Sequence, residues 1–375
     1  MNIACDIRVF LSAATGVGNY YRQLLEQLAE IDLENRYFLF SSSWKERFPT
    51  TRLPAFSQGR LVDARIPVRL LNWSWRRFLF PPLEYFFRER IDLSHSPTPL
   101  LLPGRGRKIV TVHDLFFLFH PQLSRPENRR LSISRLRSNL ERADAVICVS
   151  NATRDQLIDR FPSFAAKTVV IHHGVDSRFF SRADSKQKQA IRSRYRLPPE
   201  YLLFVGTIEP RKNLATLLRA LAVLRQRGEA IPLVIAGNRG WGLSEYLRLL
   251  EPVASQVNEI GYVDAYDLPV LYQEARLFVF PSRDEGFGLP LLESLASGTP
   301  VLCSDIPVFR EIGGKNPVYF RTEDAVELAE KIRSLWKVKN TSGREKRITH
   351  ARTFTWRRTA EATLSLYRSL LRSRQ

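Results

Sequence analysis

Cysteine is scarce: Cys5, Cys148 and Cys303 are the only three in 375 residues, far apart and each inside an apolar run. An odd and scattered set excludes a disulfide framework, and reads instead as small buried hydrophobes in a reducing compartment. Long apolar stretches are missing too. No run approaches the roughly 20 residues a spanning helix needs, which excludes an integral membrane protein. The start, Met1 to Phe10, lacks a basic leader, a long apolar segment and a small-residue cleavage site, so export is not expected. Acid is in short supply, with 38 Asp and Glu against 57 Lys and Arg and a net charge of +19. That excess calls for a polyanionic neighbour. It is mostly arginine spread over both halves, without a lysine-rich tail or an interrupted basic helix, so nucleic acid is not expected as a partner.

What is present is the composition of a folded protein, 44% hydrophobic and long enough for two cores. Short apolar runs such as Arg36–Phe40, Lys108–Val112, Ala145–Val149 and Thr168–Ile171 alternate with helical stretches, and the rhythm resumes at Tyr201–Val205, Pro232–Ala236, Leu277–Phe280 and Pro300–Cys303. That alternation predicts βαβ units and parallel sheets, with ligands at the carboxyl ends of the strands. The polar stretch Ser181–Gln189 marks the expected boundary. The expected organisation is a first domain over 1–182, a second over 183–355, and a last helix over 356–375.

The most informative stretch is Arg283-Asp284-Glu285-Gly286-Phe287-Gly288-Leu289-Pro290-Leu291-Leu292-Glu293. A strand-like run ends at Pro281, a glycine-rich turn comes next, and proline at the first helical position starts a helix that Gly298 and Pro300 close. Amides of Phe287, Gly288 and Leu289 at that helix start favour an anion or sugar hydroxyls. Glu285 and Glu293 would accept hydrogen bonds from two sets of hydroxyls, one on a sugar and one on a ribose. The bland reading is an acidic loop with an ordinary exposed glutamate on the helix. After the strand at Tyr201–Val205, the Glu209-Pro210-Arg211-Lys212-Asn213 turn places Arg211 and Lys212 where a diphosphate could be clamped, so that fixed cations stabilise the departing charge.

The stretch resembles the Glu-x7-Glu signature of the retaining glycosyltransferases of family 4, which have the GT-B fold. The likeness runs along most of the chain, through Gly16-Val17-Gly18-Asn19-Tyr20, Thr111-Val112-His113-Asp114-Leu115, Val149–Thr153, His173-Gly174-Val175-Asp176, Gly206–Leu214, Ile235–Gly237, Gly261-Tyr262-Val263 and Ser297–Val301. It implies two Rossmann-like doubly wound α/β domains facing across a cleft, and a last helix crossing back to the first. By that resemblance His113, Glu285, Arg211 and Lys212 are catalytic. Gly16, Gly18, Asp114, Val263, Phe287, Gly288, Leu289 and Glu293 bind substrate, with Gly261-Tyr262-Val263 reading the nucleobase through its backbone. Many relatives carry arginine where this chain has Thr207, which removes one expected phosphate contact. The Asp-x-Asp motif of the other glycosyltransferase fold is absent, so neither a metal nor a cofactor is expected.

The implied partners are a nucleotide-sugar donor, GDP-mannose above all from the Gly-Thr-x-Glu-Pro-Arg-Lys-Asn variant, and a lipid-linked or glycan acceptor. An epimerase of nucleotide sugars and a non-catalytic binding protein are the alternatives. A last feature is the segment Arg65–Arg90, in which six arginines interleave with Trp73, Trp75, Phe78, Phe80, Tyr85, Phe86 and Phe87. It fits either an anionic membrane surface or a core-packing helical hairpin with solvated arginines. The expected location is the cytoplasm, peripheral on the inner face of the membrane.

Overall fold

The structure, a computed structural model, describes residues 1–11, 16–45, 56–124, 129–338 and 343–372. The chain forms two compact units, Met1–Gly174 with Thr355–Gln375, and Val175–Phe354. The first is built on seven strands, β1 (Asn2–Asp6), β2 (Arg36–Ser42), β3 (Gly59–Ala64), β4 (Leu93–Ser96), β5 (Arg107–Val112), β6 (Ala145–Cys148) and β7 (Thr168–Val170). They lie side by side as β3-β2-β1-β4-β5-β6-β7, every neighbouring pair parallel. The second unit carries β8 (Leu202–Val205), β9 (Leu233–Ala236), β10 (Val257–Gly261), β11 (Leu277–Phe280), β12 (Val301–Ser304) and β13 (Val318–Phe320). Their order is β10-β9-β8-β11-β12-β13, again parallel throughout.

Burial explains the strands. β6, β9, β11 and β12 are buried at every residue, as parallel strands covered on both faces must be. The strand order reverses between β1 and β4 in the first unit and between β8 and β11 in the second. Loops leaving two such strands diverge to opposite faces of the sheet and open a crevice at their carboxyl ends.

The first unit closes on itself through the far end of the chain. Helix Trp356–Arg372 buries Trp356, Thr359, Ala360, Thr363, Leu364 and Tyr367 along one stripe and packs on helix Gly16–Ile31, whose Tyr20, Tyr21, Leu24, Leu25 and Leu28 form the matching stripe. The Thr359 hydroxyl donates to the carbonyl of His172 at 2.7 Å. A Cβ on Gly174 would stand 2.1 Å from the backbone nitrogen of Trp356, so only glycine permits that approach. We predict that Gly174→Ala forces the two segments apart and costs about 1–3 kcal/mol, read as a lower urea midpoint.

The polar stretch expected to mark the boundary runs into a surface helix. Asp184 accepts from the Gln187 amide and the Gln187 side chain accepts from the Asp184 amide, a reciprocal cap that starts helix Ser185–Arg194. Only Ile191 of that helix is buried, which is why its sequence shows no apolar run. The division between units falls earlier, after Gly174.

Candidate active site

In the second unit, the crevice between β8 and β11 brings together residues 73 positions apart in sequence. The turn after β8 runs through a short 3-10 helix, Pro210–Lys212, and ends with Asn213 in the left-handed conformation at φ 54°. Asn213 Nδ2 donates to the Pro281 carbonyl at 3.0 Å, and the Arg283 amide donates to the Arg211 carbonyl at 2.9 Å, so the two loops are stitched together. Between them Glu285 is only 8% exposed. Lys212 Nζ lies 2.5 Å from its Oε1 and Arg211 Nη1 2.6 Å from its Oε2, while Ser282 Oγ donates to Oε1 at 2.8 Å. Arg211 Nε also donates to Glu209 at 3.1 Å. Burial alone would raise the Glu285 carboxyl, but the charges of Arg211 and Lys212 outweigh it and hold the group down to about 2. Burial pulls the Lys212 ammonium below its usual range despite the carboxylate beside it.

This arrangement alters the expected role of Glu285. Both of its oxygens are taken by cations, so it fixes Arg211 and Lys212 in place rather than standing open to hydroxyls. Thr207 is exposed, and the second cation beside Lys212 comes from Arg211.

Glu285 leads through the buried Phe287 to Gly288, at φ 90°, and to helix Leu289–Ala296. The first amides of a helix have no carbonyl partner within it, which leaves Gly288 and Leu289 at an end suited to an anion. Glu293 sits on the next turn, partly buried, and its Oε2 accepts from the Tyr272 hydroxyl at 3.0 Å. Burial raises the Glu293 carboxyl to about 7, with Asp176 adding to the rise and Tyr272 and Arg178 opposing it. Arg178 donates to Asp176 at 2.6 Å and its guanidinium lies 5.0 Å over the exposed ring of Tyr266. Tyr266 and the buried Val263 belong to the loop after β10, so Arg178 links that loop to the surroundings of Glu293.

The first unit has its own cluster. His113 comes directly after β5, and its Nε2 lies 2.9 Å from the Pro97 carbonyl at the end of β4. Since a carbonyl only accepts, Nε2 carries the proton and Nδ1 is the acceptor. Burial lowers the imidazole to about 4, so it is neutral at pH 7. Asp114 accepts from the Phe116 amide at 3.3 Å and so closes a turn at the start of the short helix Phe116–Phe119 instead of orienting the imidazole through a hydrogen bond. Gly16 and Gly18 lie in the first turn of helix Gly16–Ile31, which also carries Tyr20. The Tyr20 ring meets His113 edge-on at 4.9 Å and stacks on His173 at 4.6 Å, with Trp356 behind at 5.5 Å from His173. Fully buried His95 bonds Tyr367 at 2.6 Å and Thr111 at 3.0 Å.

Sequence reasoning gave no individual role to Tyr20, His95, His173, Trp356, Asp176 or Arg178. Tyr20, His173 and Asp176 did carry a signal, since they lie in the stretches Gly16–Tyr20 and His173–Asp176 on which the resemblance rests. His95 carried none, because its strand, Leu-Ser-His-Ser, has no apolar run.

A family model described as Glycosyltransferase Family 4 matches residues 14–179, and one described as Glycosyl transferases group 1 matches residues 185–353. An O-antigen chain mannosyltransferase B of Escherichia coli is 29% identical over 371 residues, covering 95% of this chain and 96% of that protein. A serotype-specific mannosyltransferase WbdA of the same species is 30% identical over 278 residues, which is 71% of this chain and 34% of the relative, so the chain spans about a third of that protein's length. Among solved structures, a sucrose-phosphate synthase from Thermosynechococcus elongatus superposes with a TM-score of 0.78 over 99% of both chains at 22% identity.

Proposed function

The chain belongs to the glycosyltransferases, family 4 in its first half and group 1 in its second, and on that premise we propose that it transfers mannose from GDP-mannose to a growing lipid-linked or polysaccharide acceptor in cell-surface glycan synthesis, with retention at the anomeric carbon. The mannosyl donor is supported by the mannosyltransferase activity for which its relatives are named, the first of which matches nearly end to end. Neither the epimerase nor the non-catalytic reading is favoured beside them.

The observation that carries the chemistry is the pairing of Arg211 and Lys212 on Glu285 in the β8–β11 crevice. Cleaving a sugar from a nucleoside diphosphate builds negative charge on the leaving oxygen. Two cations already fixed by a buried carboxylate stabilise that charge without reorganising as it develops. Glu293 takes the ribose hydroxyls, and the amides of Gly288 and Leu289 take oxygens of the phosphate or sugar. In the first unit, neutral His113 offers Nδ1 as an acceptor to a sugar hydroxyl. The acceptor hydroxyl attacks on the face the diphosphate leaves, and its proton passes to a phosphate oxygen. No helix among the described residues is long and apolar enough to cross a membrane. A lipid-linked acceptor would bring the enzyme to the inner face of the cytoplasmic membrane as a peripheral protein.

Calorimetry against GDP-mannose, UDP-glucose, ADP-glucose and dTDP-glucose tests the donor, and proton NMR of the product tests its stereochemistry. Preferential binding of GDP-mannose and an α-linked product are expected. Preference for another nucleotide sugar sinks the donor assignment, and an inverted product sinks the mechanism.

A further inference from the structure

Helix Val68–Phe78 is two-faced in a way its function as a core element does not explain. Leu71 and Trp75 are buried, with Leu83, Phe87 and Phe40 in the same cluster. The opposite face carries Arg69, Leu70, Trp73, Arg76 and Arg77, all exposed. Phe78, Leu79 and Phe80 come next in succession, and with Leu70, Trp73 and Tyr85 they are between 43% and 67% exposed. Leu79 holds a left-handed φ of 54°, a conformation a bulky side chain seldom adopts. Trp73 and Phe78 meet edge-on at 5.5 Å, so the rings form one patch.

The charges around the patch are unpaired. The acids of the segment are committed elsewhere: Glu84 accepts from the Arg105 amide, and Glu89 pairs with Arg36 and Arg60. Among the described residues no carboxylate stands within ion-pair distance of Arg65, Arg69, Arg76, Arg77 or Arg88, whereas most other arginines of this chain have one. A soluble protein rarely leaves so many bulky apolar groups together in water. Rings interleaved with guanidinium groups on one face match a surface that is apolar beneath and anionic at its rim.

We propose that this face, Arg69 to Tyr85, seats the first unit on an anionic phospholipid bilayer, with Trp73, Phe78, Leu79 and Phe80 at the acyl boundary and the arginines among the lipid phosphates. The inner face of the same helix is braced on the end of β1. Arg8 Nη1 donates to Asn72 Oδ1 at 2.8 Å, its guanidinium lies 4.7 Å over the Trp75 ring, and it is held by Asp6 at 2.7 Å. Docking therefore sets the bilayer close to the β1–β4 crevice of the first unit. That an acceptor arrives there from the lipid rests on the reading of the acceptor as lipid-linked; the docking does not.

The test is sedimentation of the full chain with phosphatidylcholine vesicles, with and without phosphatidylglycerol. The wild-type protein partitions onto the anionic vesicles, and added salt weakens it. Trp73→Ser with Phe80→Ser, and separately Arg69→Gln with Arg76→Gln and Arg77→Gln, each lower the partition coefficient about tenfold or more. Both variants keep the wild-type melting temperature and the wild-type transfer rate to a water-soluble acceptor, which separates failure of docking from failure of the donor assignment. Absence of wild-type binding, or equal binding by the variants, overturns the proposal. So does a dimer in solution that the same substitutions dissociate, since it would assign the face to a second copy of the chain.

Discussion

Glu285→Gln lowers kcat by about 10²–10³-fold while leaving the shape of the pocket in place. Glutamine keeps an acceptor for Lys212 but removes the charge that holds two cations together in a site where Lys212 and Glu285 are each 8% exposed. Deprived of its counter-charge, the buried ammonium falls further below its usual range, so its charge is lost at a lower pH than in the wild type. A neutral amine does not stabilise the departing diphosphate. The deficit of the variant should therefore deepen at a lower pH than any loss in the wild type as pH rises, whereas the deficit of Lys212→Ala does not depend on that titration. Breaking the pair also costs about 3 kcal/mol of stability, because a buried charge is left uncompensated. Stopped-flow or discontinuous transfer assays between neutral and mildly acidic or alkaline pH decide the matter. A kcat close to that of the wild type would reduce Glu285 to a structural residue.

Glu293→Gln is expected to act in opposite directions on stability and on donor binding. The folded carboxyl titrates at about 7, above its ordinary 4.5, because burial disfavours the charge. Between those two values the unfolded chain has already released a proton that the folded chain keeps, so stability falls as pH rises through the window, and the loss is complete above about 7. Glutamine never ionises. At about pH 5 the variant should match the wild type, and at about pH 8 it should be more stable by on the order of 2 kcal/mol, a value kept low because the side chain is partly exposed. Donor binding runs the other way. If the carboxylate accepts ribose hydroxyls, affinity rises with pH through about 7 in the wild type, and in the variant it is flat and about 10- to 100-fold weaker. Melting curves and calorimetry at the two pH values read both effects. A variant destabilised at the higher pH, or one that binds donor as the wild type does, would remove Glu293 from the pocket.

The parallel strands were legible because their burial on both faces leaves an unmixed apolar run: Ala145–Val149, Pro232–Ala236 and Leu277–Phe280 each contain the strand found. β3, Gly-Arg-Leu-Val-Asp-Ala, is an edge strand with no buried residue, and nothing in its composition set it apart. The segment 65–90 shows the limit more sharply. Trp73 and Trp75 are the same residue type two positions apart, one more than half exposed and the other buried, because helical geometry turns them to different faces. Composition presents them as equals, so the membrane and core readings could not be separated. The core reading describes the face of Leu71 and Trp75, and the exposed face with Trp73 is the one proposed above for the bilayer. At the site, Lys212, Arg211 and Glu285 could be named from their turns, but their mutual pairing could not, since it depends on β8 and β11 lying side by side. His95 and Tyr367, 272 residues apart, are joined only by the packing of the last helix.

That last contact has a bearing on how the chain folds as it is made. The ribosome releases residues 1–174, then the whole of 175–354, and only afterwards the helix whose Tyr367 meets His95 and whose Trp356 backs His173. The second unit is contiguous and can fold as soon as it emerges. The first must wait, with Tyr20, Tyr21 and Leu24 of helix Gly16–Ile31 uncovered during the synthesis of 180 further residues. Nascent chains stalled before Trp356 would thus display a protease-resistant second unit beside a first that chaperones still hold.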